Sequence, residues 1–147
     1  MGILLKEAAQ IFPFSFARLI AGADGIIRTV ESAAIQEGPE ISRWLKKDEI
    51  VFATEYAVKN VEDGCNLIGQ LDQFGAAALV IKRGKFLNRV PAELIKLADQ
   101  KGFPLFELPG NIPYMDCVIP ILEHITEEQF WTLQHMETCL LYTSRCV

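Results

Sequence analysis

Residues 75–81 read Gly-Ala-Ala-Ala-Leu-Val-Ile, and this run decides the fold. Residues 76–81 carry no polar side chain on either face, so as a strand they need cover on both sides, as strands sandwiched between helices have. This is the expected central strand. Gly75 closes what precedes it, a helix expected from the cap Asn60, in Asn60-Val-Glu-Asp63, to about Phe74. Upstream of that helix, residues 50–54 (IVFAT) form another short β-favouring run. Downstream of the central strand, Pro91 suits the first turn of a helix, Leu94, Ile95 and Ala98 give its apolar stripe, and Gly102 falls just past its end. Residues 103–108 follow as a third strand.

Strand, helix, strand, helix, strand with short connections implies right-handed crossovers. The expected fold class is therefore α/β: an open, mainly parallel sheet with helices on both faces, built on a β-α-β-α-β core. Pro104 permits an edge-like third strand, and Pro109-Gly110 stops it sharply at its carboxyl end. Residues 17–21 and 30–35 read as strands around the turn Gly22-Ala-Asp-Gly25, and 4–10 as a short helix, with their order in the sheet left open. Residues 113–124 read as helical, with Pro120 expected to kink or restart the helix. In Ile125-Thr-Glu-Glu-Gln-Phe130 a new helix is expected, with Thr126 as cap, Gln129 reaching back and Ile125 packing on Phe130. That helix would carry Phe130, Leu133 and Met136 on one side, a candidate dimer seam.

The chain has 147 residues, half of them hydrophobic, enough for one substantial core and too few for two comfortable domains. Its net charge of −5 argues against a broad nucleic-acid-binding face, which needs clustered Lys and Arg. No apolar run has the length of a bilayer span, and MGILLKEAAQ lacks the order of a signal peptide. A cytoplasmic protein without a membrane partner is expected. Four cysteines, at Cys65, Cys117, Cys139 and Cys146, form no C-x-x-C pair and read as reduced structural thiols. The ending Cys139-Leu-Leu-Tyr-Thr-Ser144 resembles a translated transposon end from a sequencing library. Residues 139–147 are accordingly expected to be adapter read-through on a fragment cut near Thr138.

Several stretches in order resemble one family. They are Ala21-Gly-Ala-Asp-Gly-Ile-Ile-Arg-Thr-Val30, Glu37-Gly-Pro-Glu, Trp44-Leu-Lys-Lys-Asp-Glu-Ile-Val-Phe-Ala-Thr54, the central strand, Val90-Pro91, Gly102-Phe-Pro-Leu-Phe-Glu-Leu-Pro109 and Ile112-Pro-Tyr-Met-Asp116. Together they are similar to the N-terminal domain of PucR-type purine catabolism regulators, across roughly residues 3 to 125. The resemblance implies a cytoplasmic transcriptional regulator whose first domain senses a small molecule, and whose DNA contacts lie in a C-terminal helix-turn-helix beyond this chain. It divides the sequence into a sensor domain at 1–125 and the start of a linker helix at 126–138. The family usually closes its second motif with Thr-Thr-Gly, where this chain has Ala53-Thr54-Glu55, an acidic side chain in place of a backbone approach.

If the three core strands are parallel neighbours, their carboxyl ends gather Thr54, Glu55, Lys82, Arg83 and Asn111. These are the candidate ligand-binding residues. For a small, purine-derived or ureide effector, Arg83 would act as the fork for an anion or carbonyl and Glu55 would accept ring N–H bonds. A solvated turn at Lys82-Arg83-Gly84-Lys85 is the competing reading. Arg28 and Glu37 read first as a surface ion pair, with a place in the lining of the same cleft as the alternative. Glu123, His124, Glu127 and Glu128 could be drawn as a metal site, but a helix break at Thr126 would remove their common face. No G-x-S-x-G elbow, Walker loop or G-x-G-x-x-G turn is present, and Cys65 and Cys117 read as packing groups. A binding module without catalysis or cofactor is expected. An enzyme domain on the same fold and a ligand-free dimerisation platform are the alternatives.

Overall fold

A computed structural model describes residues 2–38, 45–54, 57–82 and 90–127. In chain order its elements are β1 (Ile3–Leu4), α1 (Leu5–Ala8), β2 (Arg18–Ala21), β3 (Thr29–Val30), β4 (Ser32–Gln36), β5 (Glu49–Ala53), α2 (Val61–Phe74), β6 (Ala78–Lys82), α3 (Ala92–Lys101) and β7 (Leu105–Leu108). A further helix, α4, covers residues 114–127. Among the described residues five strands form one sheet in the order β2-β7-β6-β5-β4, and β1 pairs with β3 in a small antiparallel ribbon. Four neighbours, β4 to β7, are parallel; β2 alone runs against them, with Arg18 opposite Glu107. The fold is α/β with a mostly parallel sheet, and β6 is its middle strand.

Both faces are dry because successive side chains of β5 and β6 point opposite ways. Val51, Ala53, Leu79 and Ile81 meet Leu67, Ile68 and Leu71 of α2 and Leu94 and Ala98 of α3. Ile50, Phe52, Ala78 and Val80 meet Leu5 and Phe14 on one side and Cys117, Val118, Ile121 and Ile125 of α4 on the other. Asn60 caps α2 by accepting a 2.8 Å bond from the Asp63 amide, a contribution of about 1 kcal/mol. Gly75 (φ 81°) and Gly102 (φ 61°) close α2 and α3 in the left-handed conformation.

Four expectations are corrected. Pro104 does not mark an edge: β7 lies between β2 and β6, and the proline stands just before the ladder, where its missing N–H costs nothing while its carbonyl accepts from Leu79 at 3.1 Å. The 30–35 run divides at Glu31, whose amide bonds the Asp48 carbonyl and separates β3 from β4. Pro91 is the cap of α3, not a member of its first turn. Finally, α4 runs through both Pro120 and Thr126 without interruption. The apolar stripe Cys117, Val118, Ile121 and Ile125, all buried, holds it in one piece, and tertiary packing outweighs the local capping signal at Thr126. Glu55, Arg83 and the expected helix and dimer seam at 128–138, with the ending at 139–147, lie outside the described residues.

The motif at 21–28 folds over the amino ends of β6 and β7. Gly22 (φ 72°) takes a conformation that L side chains rarely adopt, and an added Cβ would fall 2.0 Å from the Phe103 oxygen. Its amide bonds Asp99 Oδ1 at 2.7 Å. Arg28 does not pair with Glu37. Its guanidinium donates to the Ala76 carbonyl at 2.9 Å, the Gly102 carbonyl at 3.2 Å and Asp72 Oδ1 at 3.1 Å, and lies 5.2 Å from the Phe103 ring centre. One side chain thereby ties α2 to the starts of two strands. This part of the motif is a structural clasp.

Candidate functional site

The carboxyl ends of β4 to β7 share one edge of the sheet because the strands are parallel. From β6 the chain crosses to α3 on one face, and from β7 to α4 on the other. Neighbouring strands whose exits diverge in this way leave a crevice between them, the usual ligand position in open α/β sheets.

Around that crest the structure brings together Thr54, Lys82 and a residue missed by the sequence reading, Tyr114. The Tyr114 hydroxyl donates to the Ala53 carbonyl at 2.5 Å and lies 3.4 Å from that of Val80. Its ring meets Phe52 edge-on at 5.2 Å and carries the Lys82 ammonium 4.7 Å from its centre. The ring attracts the ammonium by charge and uses none of its three N–H donors. Thr54, next to Ala53, donates its hydroxyl to the Glu37 carbonyl at 2.9 Å and keeps its lone pairs as acceptors. Tyr114 stood within the proline-punctuated run after β7, and its place directly after Pro113, at a helix start, was the available signal.

Asn111 lies beyond β7, in a turn closed by the Ile112 amide on the Pro109 carbonyl, and is exposed. It lines an open cavity of about 380 Å³ with Phe12, Phe16, Pro109, Pro113 and Asp116. The two phenylalanines reach this edge because β2 is antiparallel, so its amino end meets the carboxyl end of β7. They too escaped the sequence reading, although the alternating aromatics of Phe12-Pro-Phe-Ser-Phe16 announce them.

Burial pushes the Cys117 thiol up to about 11, against the opposing pull of Lys82 and with a small addition from Asp116. It stays protonated at neutral pH and packs as an apolar group. Cys65 is half-buried and also raised, by burial first and by the Glu93 charge second. Since α4 does not break at Thr126, Glu123 and Glu127 do share a face, beside Ile119 and Leu122 along an open groove of about 330 Å³. Among the described residues no three His, Cys, Asp or Glu are placed to hold a metal ion, and no helix is long and apolar enough to cross a membrane.

A mostly parallel sheet, covered on both faces and carrying a polar crest, defines an open α/β domain. The family described as Purine catabolism regulatory protein-like (PucR) matches residues 8–125. Over 131 residues the chain is 36% identical to the Purine catabolism regulatory protein of Bacillus subtilis (strain 168), a stretch covering 88% of this chain and 25% of that relative. The chain belongs to the PucR family, and spans about a quarter of the length of this relative. In fold it is similar to the crystallised CBS and DRTGG domains of the regulatory region of Clostridium perfringens pyrophosphatase, complexed with its activator diadenosine tetraphosphate. That likeness has a TM-score of 0.52 at 12% identity, over 82% of this chain and 50% of the other.

Proposed function

We propose that this chain is the small-molecule-sensing domain of a transcriptional regulator, responding to purine catabolites and acting without catalysis. The observation that carries the reading is the Lys82 ammonium held over the Tyr114 ring, with no hydrogen bond from it to another described residue, at the crest where two strands end. A carbonyl-rich ring or ureide would accept from Lys82 and donate to Thr54, with Asn111 on the adjoining wall. Arg83 and Glu55 supply the fork and the acceptor. The names of the relatives support the choice of effector, and the pyrophosphatase regulatory region, crystallised with a nucleotide activator, supports a regulatory use of the fold. The effector acts by binding one arrangement of the domain more tightly than another.

On this reading the chain is one segment of a longer cytoplasmic protein whose DNA contacts reside in a helix-turn-helix elsewhere. Two copies associate along the helix expected to leave the domain, with Phe130, Leu133 and Met136 on its seam. Thermal unfolding with nucleobases and ureides tests the sensor. A ligand at about 100 times its dissociation constant adds roughly 2.7 kcal/mol, a rise of several degrees. The rise should vanish in Lys82→Ala, Arg83→Ala and Glu55→Ala while their unliganded midpoints stay near that of the parent. An undiminished rise in all three would remove the site from the crest.

A further inference from the structure

The Phe12–Phe16 segment is built to face outward. Phe14 is fully buried and held by Phe52 and Phe106, with ring centres 5.6 and 5.1 Å away. Its neighbours two places to either side point away from that anchor: Phe12 is 70% and Phe16 57% exposed, and their rings stand edge to face at 5.6 Å. Large apolar rings fixed on a surface and bordering a cavity mark a contact site. Pro109 and Pro113 extend the apolar wall and have no N–H to offer. Among the described residues, the polar groups that line the cavity are the Asn111 amide and the Asp116 carboxylate, with no cationic side chain beside them.

We infer that this cavity takes a flat, uncharged nitrogen heterocycle with a lactam edge, and this rests on the reading of the domain as a sensor. The ring lies against the Phe12 and Phe16 side chains. Asn111 offers one donor and one acceptor, the complement of a ring N–H beside a carbonyl, and the Asp116 carboxylate accepts a second N–H. Asp116 repels anions, and a simple cation would leave the Asn111 donor unpaired. At about 380 Å³ the open cavity has room for a small ligand.

The test is calorimetric binding to the full chain at pH 6, with xanthine as the lactam probe and caffeine as a ring of the same shape without N–H groups. Xanthine should bind, and caffeine should bind at least about tenfold more weakly, as expected for lost charge-assisted hydrogen bonds. Asp116→Asn and Phe16→Ala, both at exposed positions, should weaken xanthine by a similar factor with unchanged thermal midpoints. Amide shifts in a nitrogen-15 spectrum should centre on Phe16, Asn111 and Ile112. Caffeine binding as tightly as xanthine would overturn the inference. So would a xanthine complex weakened by Lys82→Ala but not by Asp116→Asn or Phe16→Ala, and in that case the sensor reading survives. If neither xanthine nor any nucleobase or ureide binds, both fall together.

Discussion

Tyr114, the first residue of α4, donates its hydroxyl hydrogen to the carbonyl of Ala53, the last residue of β5, across 61 positions of sequence. This bond fixes the start of the helix to the end of a strand. Tyr114→Phe keeps the ring against Phe52 and beneath Lys82 and removes only the hydroxyl. Its cost should be about 1 kcal/mol, seen as a midpoint lowered by about 4 °C in thermal unfolding. Tyr114→Ala, which also loses the ring contacts, should cost roughly 2–3 kcal/mol. Equal costs for the two would mean that the ring contributes nothing.

Arg28 should not tolerate lysine. A guanidinium reaches Ala76, Gly102 and Asp72 at once from one plane, whereas an ammonium on a flexible stem cannot match that fork. Arg28→Lys should lower stability by about 1–2 kcal/mol in urea unfolding, with the slope unchanged. Glu37→Gln, at the partner expected from sequence, should leave stability within about 0.5 kcal/mol.

Much of the core was legible because its signals were local and agreed with one another. Asn60 and Gly75 bracket α2, Gly102 ends α3, and the apolar run at 76–81 admits only a strand covered on both sides. The antiparallel placement of β2 was not legible, since Arg18 and Leu19 are exposed and only the chain's route over α3 and β7 sets their partner. Thr126 failed in the opposite direction: its flanking residues satisfy a capping pattern, but Ile121 and Ile125 bury only if the helix continues. Within the candidate site, the places of Thr54 and Lys82 at strand ends, and of Asn111 in the turn beyond β7, were legible from the strand pattern. Tyr114, Phe12 and Phe16 come from segments whose approach to that edge is decided by the tertiary path.

Thr126→Ala gives a direct test of that correction. Inside an exposed helical turn, alanine should be neutral or stabilising by about 0.5 kcal/mol. Were Thr126 a cap, the same change would cost about 1 kcal/mol.

Glu49 offers a pH test. It is buried at the start of β5, where its carboxylate accepts the Lys46 amide at 2.7 Å. Burial raises its pKa above the ordinary 4.5, and the Lys46 amide and charge only partly oppose this. The folded state therefore holds the proton more tightly than the unfolded chain. The associated stability is full below 4.5 and is lost as pH rises through the folded value. Glu49→Gln keeps the acceptor and removes the titration. Midpoints measured upward from pH 4.5 should fall in the parent relative to the variant and then run parallel; a constant difference throughout would place no shifted carboxyl at this position.

The unbroken course of α4 has a mechanical consequence. At 1.5 Å per residue, residues 114–127 make a rod about 20 Å long, with one end pinned to β5 and β6 by Tyr114 and the other directed toward the remainder of the chain. A tilt of about 3° at the pinned end displaces the far end of such a rod by about 1 Å, and carries the buried Ile121 and Ile125 with it. Pro120, which has no N–H to give to the carbonyl four residues back, leaves one rung out of the rod near its middle. The edge of the sheet and the exit of the helix are thus fulcrum and tip of a single lever.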